Sequence, residues 1–410
     1  MLQQKQRAVL VGAHLGLKDT LADTTESSIQ ELKLLAKTAG VDVNEIFIQN
    51  RQKLETGTYI GEGKITEIAD FIAENNIELA IFDDELSGIQ TRNLSDLLKV
   101  PIVDRSTLIL DIFAQRAQSN EGQLQVELAQ LRYLLPRLAG SSAEAGLSRA
   151  GVGVGARGPG ETKLETDRRH IKEKISALNE QLQKVENIRE TQRRARVKDG
   201  IQQIALIGYT NAGKSTLLNT LTNSDIFAQD LLFATLDPTT RKMELPDGAT
   251  VLLTDTVGFI RKLPHHLIRA FRSTLEESLL CDLLIHVIDA TSPEFLVQKQ
   301  VVENLLHDLK ADDKPIINVY NKTEDIEDLS NLDGICISAK NKTGIDTLLT
   351  AIAENLPEKR ITIDEIIPYY RGDIVMKIHN LGKVLLEEHL PDGTHIKAII
   401  AEPDWKQINN

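Results

Sequence analysis

Apolar residues recur along this chain in two different periods. Up to residue 117, short β-branched runs at 8–11, 46–48, 79–82 and 100–103 alternate with amphipathic stretches at 28–39, 64–74 and 84–99. That alternation predicts an α/β unit on a mostly parallel sheet. The period then changes. Leu124, Leu128, Leu131, Leu135 and Leu138 step by four and three, and Leu164, Ile171, Ile175, Leu178, Leu182, Val185 and Ile188 follow the same rule. These are two a/d seams, each long enough to pack one helix against another. Between them, residues 140–160 hold Gly140, Gly146, Gly151, Gly153, Gly155, Gly158 and Gly160. An antiparallel helical hairpin with a pliable tip is expected; an ordinary bundle connection is the competing reading. Beyond residue 200 short apolar runs alternate with helical patterns again, and 383–390 and 394–400 flank the hairpin signal Pro391-Asp392-Gly393. The expected division is an α/β domain at 1–117, the hairpin at 118–199, a second α/β domain at 200–357 and a small α/β domain at 358–410.

Composition changes this picture only locally. The 410 residues, 41% hydrophobic and 26% charged, exclude a disordered, collagenous or purely coiled-coil chain. A net charge of −13 and 4% aromatic residues argue against a nucleic-acid binder that stacks bases. Residues 163–198 reverse the sign, with eleven Lys or Arg against six Asp or Glu. The reversal is densest at Arg189, Arg193, Arg194, Arg196 and Lys198, and Arg137, Arg149 and Arg157 flank or enter the glycine-rich segment. A solvated helix face explains such a run; beside a pliable glycine loop, a phosphate-seeking surface explains it better. Cys281 and Cys336 lie in apolar runs without metal-ligand spacing and read as core residues of a chain in a reducing compartment. The N-terminus lacks the apolar centre of a signal peptide, and no stretch approaches the ~18–20 apolar residues of a membrane span, so a cytoplasmic protein is expected.

Chemistry concentrates after residue 203. The strand-like run 204–207 enters Gly208-Tyr209-Thr210-Asn211-Ala212-Gly213-Lys214-Ser215, and an apolar helix follows. This is a phosphate-binding loop in its required strand–loop–helix setting, with Lys214 placed for the terminal phosphates and the Ser215 hydroxyl for magnesium. Forty residues on, a strand ends in Asp255-Thr256-Val257-Gly258, a carboxylate for the magnesium shell and a glycine whose N–H can approach a γ-phosphate. Between them lies Phe233-Ala234-Thr235-Leu236-Asp237, where Thr235 is the expected second metal hydroxyl and Thr239 and Thr240 are its rivals. Lys214, Thr235 and Gly258 are the expected catalytic positions. Further on come Asn321-Lys322-Thr323-Glu324 and Ser338-Ala339-Lys340, each at a strand end. Two other polar clusters read more plainly: residues 59–64 as a helix start, and Asp83-Asp84-Glu85 as an acidic helix N-terminus rather than a metal site.

In this order the motifs resemble those of a translation-factor-class GTPase. The resemblance implies that the Asn321 segment reads guanine, with Glu324 where the family expects aspartate; the acceptor pair is kept on a stem one methylene longer, and Asp325 is the alternative acceptor. Phe259 stands where signalling GTPases carry the water-orienting glutamine, which implies slow intrinsic turnover. Asn211 matches the asparagine with which potassium-assisted members hold K+; simple loop hydrogen bonding is the competing reading. Stretches outside these motifs, above all 121–131, Leu147-Ser148-Arg149 and Arg157-Gly158-Pro159-Gly160-Glu161-Thr162, resemble the HflX ribosome-associated GTPases over residues 6–356. That resemblance implies a magnesium-dependent GTPase, monomeric when free, that binds GTP and GDP and engages the large ribosomal subunit and its rRNA to split or rescue stalled ribosomes. A GTPase acting on a protein or tRNA partner through the hairpin is the alternative.

Overall fold

β1 (Arg7–Leu15) runs between β2 (Asp42–Arg51) and β3 (Leu79–Phe82), with β4 (Ile102–Asp104) outside β3, all parallel. The computed structural model describes residues 6–16, 24–147, 159–198, 201–222, 232–264, 267, 280–311, 313–357 and 360–409. Helices cover both faces of this sheet, which is why Ala8 to Val11 is apolar without alternation. On one face Val9, Val11 and Phe82 meet α2 (Glu62–Asn75) and α3 (Gly88–Leu98). On the other, Leu10 and Ile81 meet α1 (Thr25–Thr38) and α4 (Arg105–Arg116).

Capping explains where the helices begin, and it overturns one expectation. Ser87 and Gln90 form a reciprocal capping box, so α3 starts at Gly88, four residues later than the pattern predicted. Asp83-Asp84-Glu85 therefore does not serve a helix N-terminus. Asp83 is buried between Arg105 (2.7 Å) and Lys262 (2.6 Å).

α5 (Asn120–Leu147) leans on the α4 face through Val126, Ala129 and Tyr133. Its opposite stripe, Leu124, Leu128 and Leu131, packs on Ile175, Leu178 and Leu182 of α6 (Pro159–Lys198). Glu121 pairs with Arg189 at one end and Arg132 with Asn179 further along, so the two helices are antiparallel. The forty residues of α6 span about 60 Å. The seam is shorter than its periodicity predicted, because Ile188 is 59% exposed. The glycine-rich stretch 148–158, with Arg149 and Arg157, lies outside the described residues.

The second α/β sheet has the order β10 (Ile335–Cys336), β9 (Ile316–Asn321), β8 (Leu283–Asp289), β5 (Gln202–Gly208), β7 (Thr250–Asp255), β6 (Thr239–Glu244), parallel except for β6. α7 (Lys214–Thr222), α8 (Phe295–Asp308) and α9 (Ile345–Asn355) pack against it. Its helix-covered face toward the N-terminal unit is not a separate core. Ala205, Ile207, Tyr209, Phe233, Phe259 and Ile260 are continuous with Ile29, Leu32, Ile109 and Phe113. Cys281 is buried, and burial pushes its thiol up to about 11; Cys336, expected in a core, is half-buried because β10 is an edge strand of two residues.

The C-terminal segment forms an antiparallel sheet of β11 (Arg360–Ile367), β13 (Gly393–Ala401) and β12 (Lys383–Leu390), carrying α10 (Gly372–Leu381) and α11 (Glu402–Asn409). The Pro391-Asp392-Gly393 turn joins β12 to β13, as the sequence predicts. Among the described residues no helix is long and apolar enough to cross a membrane.

One buried group makes acid a specific denaturant. His286 on β8 is 2% exposed, and burial, aided by Lys299 and Lys214, lowers its pKa to about 4. Its folded pKa lies below the unfolded value of ~6.5, so it favours the folded state above that pH. Stability is expected to fall by up to ~3 kcal/mol between pH ~6.5 and pH ~4. Denaturant titrations at pH 7 and 4.5 check this; His286→Leu should flatten that part of the profile, and an unaltered slope would assign it elsewhere.

Candidate functional site

β5 delivers the loop 208–215 at the carboxyl edge of the central strand, where parallel sheets place their ligand crevices. The loop's shape follows from its glycines. Gly213 has φ of +91°, and a Cβ there would run into the Asn321 amide. Across the cleft, a Cβ on Gly258 would lie 2.8 Å from Thr210 Cγ2 and 3.2 Å from Lys214 Nζ. Glycine at both positions therefore allows the close packing that closes the cleft walls.

Lys214 opens α7 and folds back over the loop, donating to the Gly208 carbonyl (3.1 Å) and the Tyr209 carbonyl (2.9 Å). Burial lowers its pKa to about 8, although Asp255 opposes this. The Ser215 hydroxyl donates to Asp255 Oδ2 at 2.5 Å, and Thr235 Oγ1 lies 2.9 Å from Ser215 Oγ and 3.1 Å from the same carboxylate oxygen. Thr239 and Thr240 lie in β6, and Thr240 bonds Thr254 instead. Burial pushes the Asp255 carboxyl up, against the pull of Lys214, and its Oδ1 has no hydrogen-bond partner. A buried carboxylate oxygen left open beside two converging hydroxyls is a site short of one positive charge. Those donors suit a small hard cation.

The expected residues fall into three groups. Thr210, Asn211, Gly213, Lys214 and Ser215 line the cleft with Phe233, Ala234, Thr235, Thr256 and Gly258. Thr216 also lines it; its place directly after the loop's hydroxyl was the available signal. A second group sits beside the cleft and braces it. Asn321 donates to the Ala212 carbonyl (2.9 Å) and accepts from the Ala339 N–H (3.0 Å), so it ties the phosphate loop to the Ser338-Ala339-Lys340 loop. Lys322 spans from the Asn211 carbonyl (2.9 Å) to Asp289 (2.7 Å), and Thr323 donates to the Ile337 carbonyl. Ser338 is buried and accepts from Asn341 N, whereas Glu324 and Lys340 are exposed at the rim.

The third group points elsewhere. Val257 and Leu236 are buried in the core shared with the N-terminal unit. Asp237 accepts from Gln118 and Ser119 at the start of the hairpin. The Tyr209 side chain leaves the cleft, donating to Glu31 of α1 and accepting from the Arg261 N–H at 2.8 Å. Sequence reasoning missed Glu31 and Arg261. Glu31 also receives Arg105, and Arg261 reaches Ser27 (3.0 Å) and Glu294 (2.5 Å). Their partners lie up to 234 residues away, beyond any spacing rule.

Three family profiles match the chain in succession: "GTP-binding GTPase N-terminal" at 26–114, "GTP-binding GTPase Middle Region" at 116–196 and "50S ribosome-binding GTPase" at 203–322. The chain is 50% identical to the GTPase HflX of Caldanaerobacter subterraneus subsp. tengcongensis over 412 aligned residues, covering all of this chain and 94% of that one. It is 37% identical to the GTPase HflX of Escherichia coli strain K12, covering 98% and 95%. Among solved structures it is similar to a GTP-binding protein of Sulfolobus solfataricus in complex with GDP, at 25% identity and a TM-score of 0.46 over 85% of this chain and 98% of that one.

Proposed function

The chain belongs to the HflX family of GTPases and hydrolyses GTP, and from that premise we propose a GTP-driven switch that binds the large ribosomal subunit and splits or rescues stalled ribosomes. Ser215 and Thr235 are the proposed metal ligands, with Asp255 behind them. Magnesium bound there would neutralise charge developing on the β- and γ-phosphates. The remaining work falls to the chain's own groups. Lys214 holds the terminal phosphates, and the Gly258 N–H meets the γ-phosphate. Asn321, Lys322, Thr323 and Glu324, with Ser338, Ala339 and Lys340, form the guanine side. A carboxylate at Glu324 accepts from guanine N1–H and its amino group, donors that adenine lacks. Asn211 offers a place for K+ beside the phosphates; its left-handed backbone, φ +63°, turns the loop there.

Phe259 supports a slow intrinsic step. Its ring is 3% exposed within the shared core, and its backbone meets the loop, bonding Gly208 and Thr210. No side chain at that position orients a water, so a partner is needed to complete the site. The observation that carries the ribosomal reading is α6. It is a 40-residue basic helix, mostly exposed over residues 165–191 and packed on α5 along one stripe from Lys174 to Arg189. Such a limb suits rRNA contact by phosphate and shape rather than by base stacking.

Purified large subunits should pellet the protein in the presence of a non-hydrolysable GTP analogue and less with GDP. Raising salt should release it steeply, as counterion-driven binding requires. Addition with GTP should convert intact ribosomes to subunits. No co-sedimentation in either nucleotide state would reject the reading in favour of a protein or tRNA partner.

A further inference from the structure

Thr235 meets Ser215 and Asp255 at the metal side of the cleft. The segment that carries it is also anchored two residues away on either side. The Asp237 carboxylate accepts from the Gln118 N–H (2.8 Å), the Ser119 N–H (2.8 Å) and the Ser119 hydroxyl, immediately before the first turn of α5. Ser119 Oγ in turn accepts from the Gly122 N–H at 2.9 Å. On the other side, the Phe233 ring stands edge-on to Phe113 of α4, with centroids 4.8 Å apart. Phe233 has φ of +53°, a left-handed backbone that a bulky residue keeps only when its surroundings dictate it. Both anchors lie on the corner between α4 and the hairpin.

We propose that Asp237 is a positioning residue, fastening the Phe233–Asp237 segment to the root of the helical hairpin so that Thr235 is held ready for the γ-phosphate side of the site. The segment is thereby ordered by the hairpin as well as by the nucleotide. Because coupling between two sites is reciprocal, GTP that recruits Thr235 tightens the start of α5, and whatever displaces α5 loosens Thr235. The inference rests on the metal-side role given to Thr235, while Asp237 itself faces away from the cleft.

Gly122 permits a test from the hairpin side. A Cβ there would collide with Asp237 Oδ1, yet alanine within a helix is otherwise favourable, so Gly122→Ala should displace the carboxylate without weakening α5. Asp237→Ala and Gly122→Ala should each lower the affinity for a magnesium–GTP analogue about tenfold, the scale of a lost helix-cap carboxylate, and leave GDP affinity within about twofold. Retained GDP binding certifies the fold. The losses in Ser119→Ala and Asp237→Ala should combine to less than their sum, because the two changes share one interaction although Ser119 also caps Gly122. Amide exchange at Gln118 and Ser119 should slow on adding the analogue and not on adding GDP.

Equal loss of both nucleotides, or unchanged analogue affinity in both single variants while Thr235→Ala lowers it, would overturn the proposal. Unchanged affinity in Thr235→Ala would overturn the metal-side reading as well.

Discussion

Lys214→Ala should lower GTP hydrolysis by about 10²–10³-fold, the range for removing one preorganised charge from a transition state. The lysine is fully enclosed and already oriented by two loop carbonyls, so little reorganisation precedes its contact with phosphate. The same burial gives it a second signature. Without nucleotide its pKa is about 8, and a bound polyphosphate favours the ammonium form. Affinity for GTP should therefore be flat below pH 8 and decline above it, where binding must take up a proton. Nucleotide affinity and single-turnover hydrolysis measured from pH 7 to 9.5 check both signatures. Activity within tenfold of the wild type, or a pH-dependent decline that persists in Lys214→Ala, would remove Lys214 from its assigned role.

Glu31→Ala should be the most destabilising change outside the nucleotide site. This carboxylate accepts from Arg105 and Tyr209 and lies 3.5 Å from Arg261, and all four groups are buried. Burial raises the Glu31 pKa against the pull of Arg105, Tyr209 and Arg261. Removing the side chain leaves Arg105, Arg261 and the Tyr209 hydroxyl enclosed without their shared acceptor, which costs about 3–5 kcal/mol in comparable buried pairs. Asp83 softens the loss only partly. Burial works against its ionised form, but Arg105 and Lys262 more than offset this and hold it below the usual carboxylate range. Glu31→Gln keeps an acceptor for Tyr209 and should cost less than the alanine. Denaturant unfolding at neutral pH is the measurement. A loss below about 1 kcal/mol for Glu31→Ala would mean that solvent reaches the cluster and screens it.

The difference between those two sites is also the difference between what the sequence disclosed and what it concealed. Gly208 to Ser215, Asp255 to Gly258 and Asn321 to Glu324 are local: each motif is a strand end with its own loop, so residue type and spacing suffice to find it. The parallel sheets were legible for the same reason, since residues 8–11 and 283–285 are apolar on both faces. Contacts between distant segments were not. Tyr209 belongs by spacing to the phosphate loop, yet its ring is committed to Glu31, 178 residues earlier. Asp237 reads as part of a nucleotide loop and in fact serves Ser119. Asp83 looked like helix punctuation until Ser87 proved to be the cap. In each case a polar side chain had two chemically sensible partners, and only the packing of whole elements chose between them.

The shared core between the two α/β units carries a consequence for synthesis. The face made by Ile29, Leu32, Ile109 and Phe113 is finished early in the chain, but its covering residues Phe259 and Ile260 come much later. About 150 residues separate them, so at ~5–20 residues per second that apolar face waits roughly 8–30 s for its partner. Until then the apolar side chains that α1 and α4 turn toward the second sheet lack that part of their cover. The unit's vulnerable moment thus comes during translation, and slowing elongation past α6 would lengthen it.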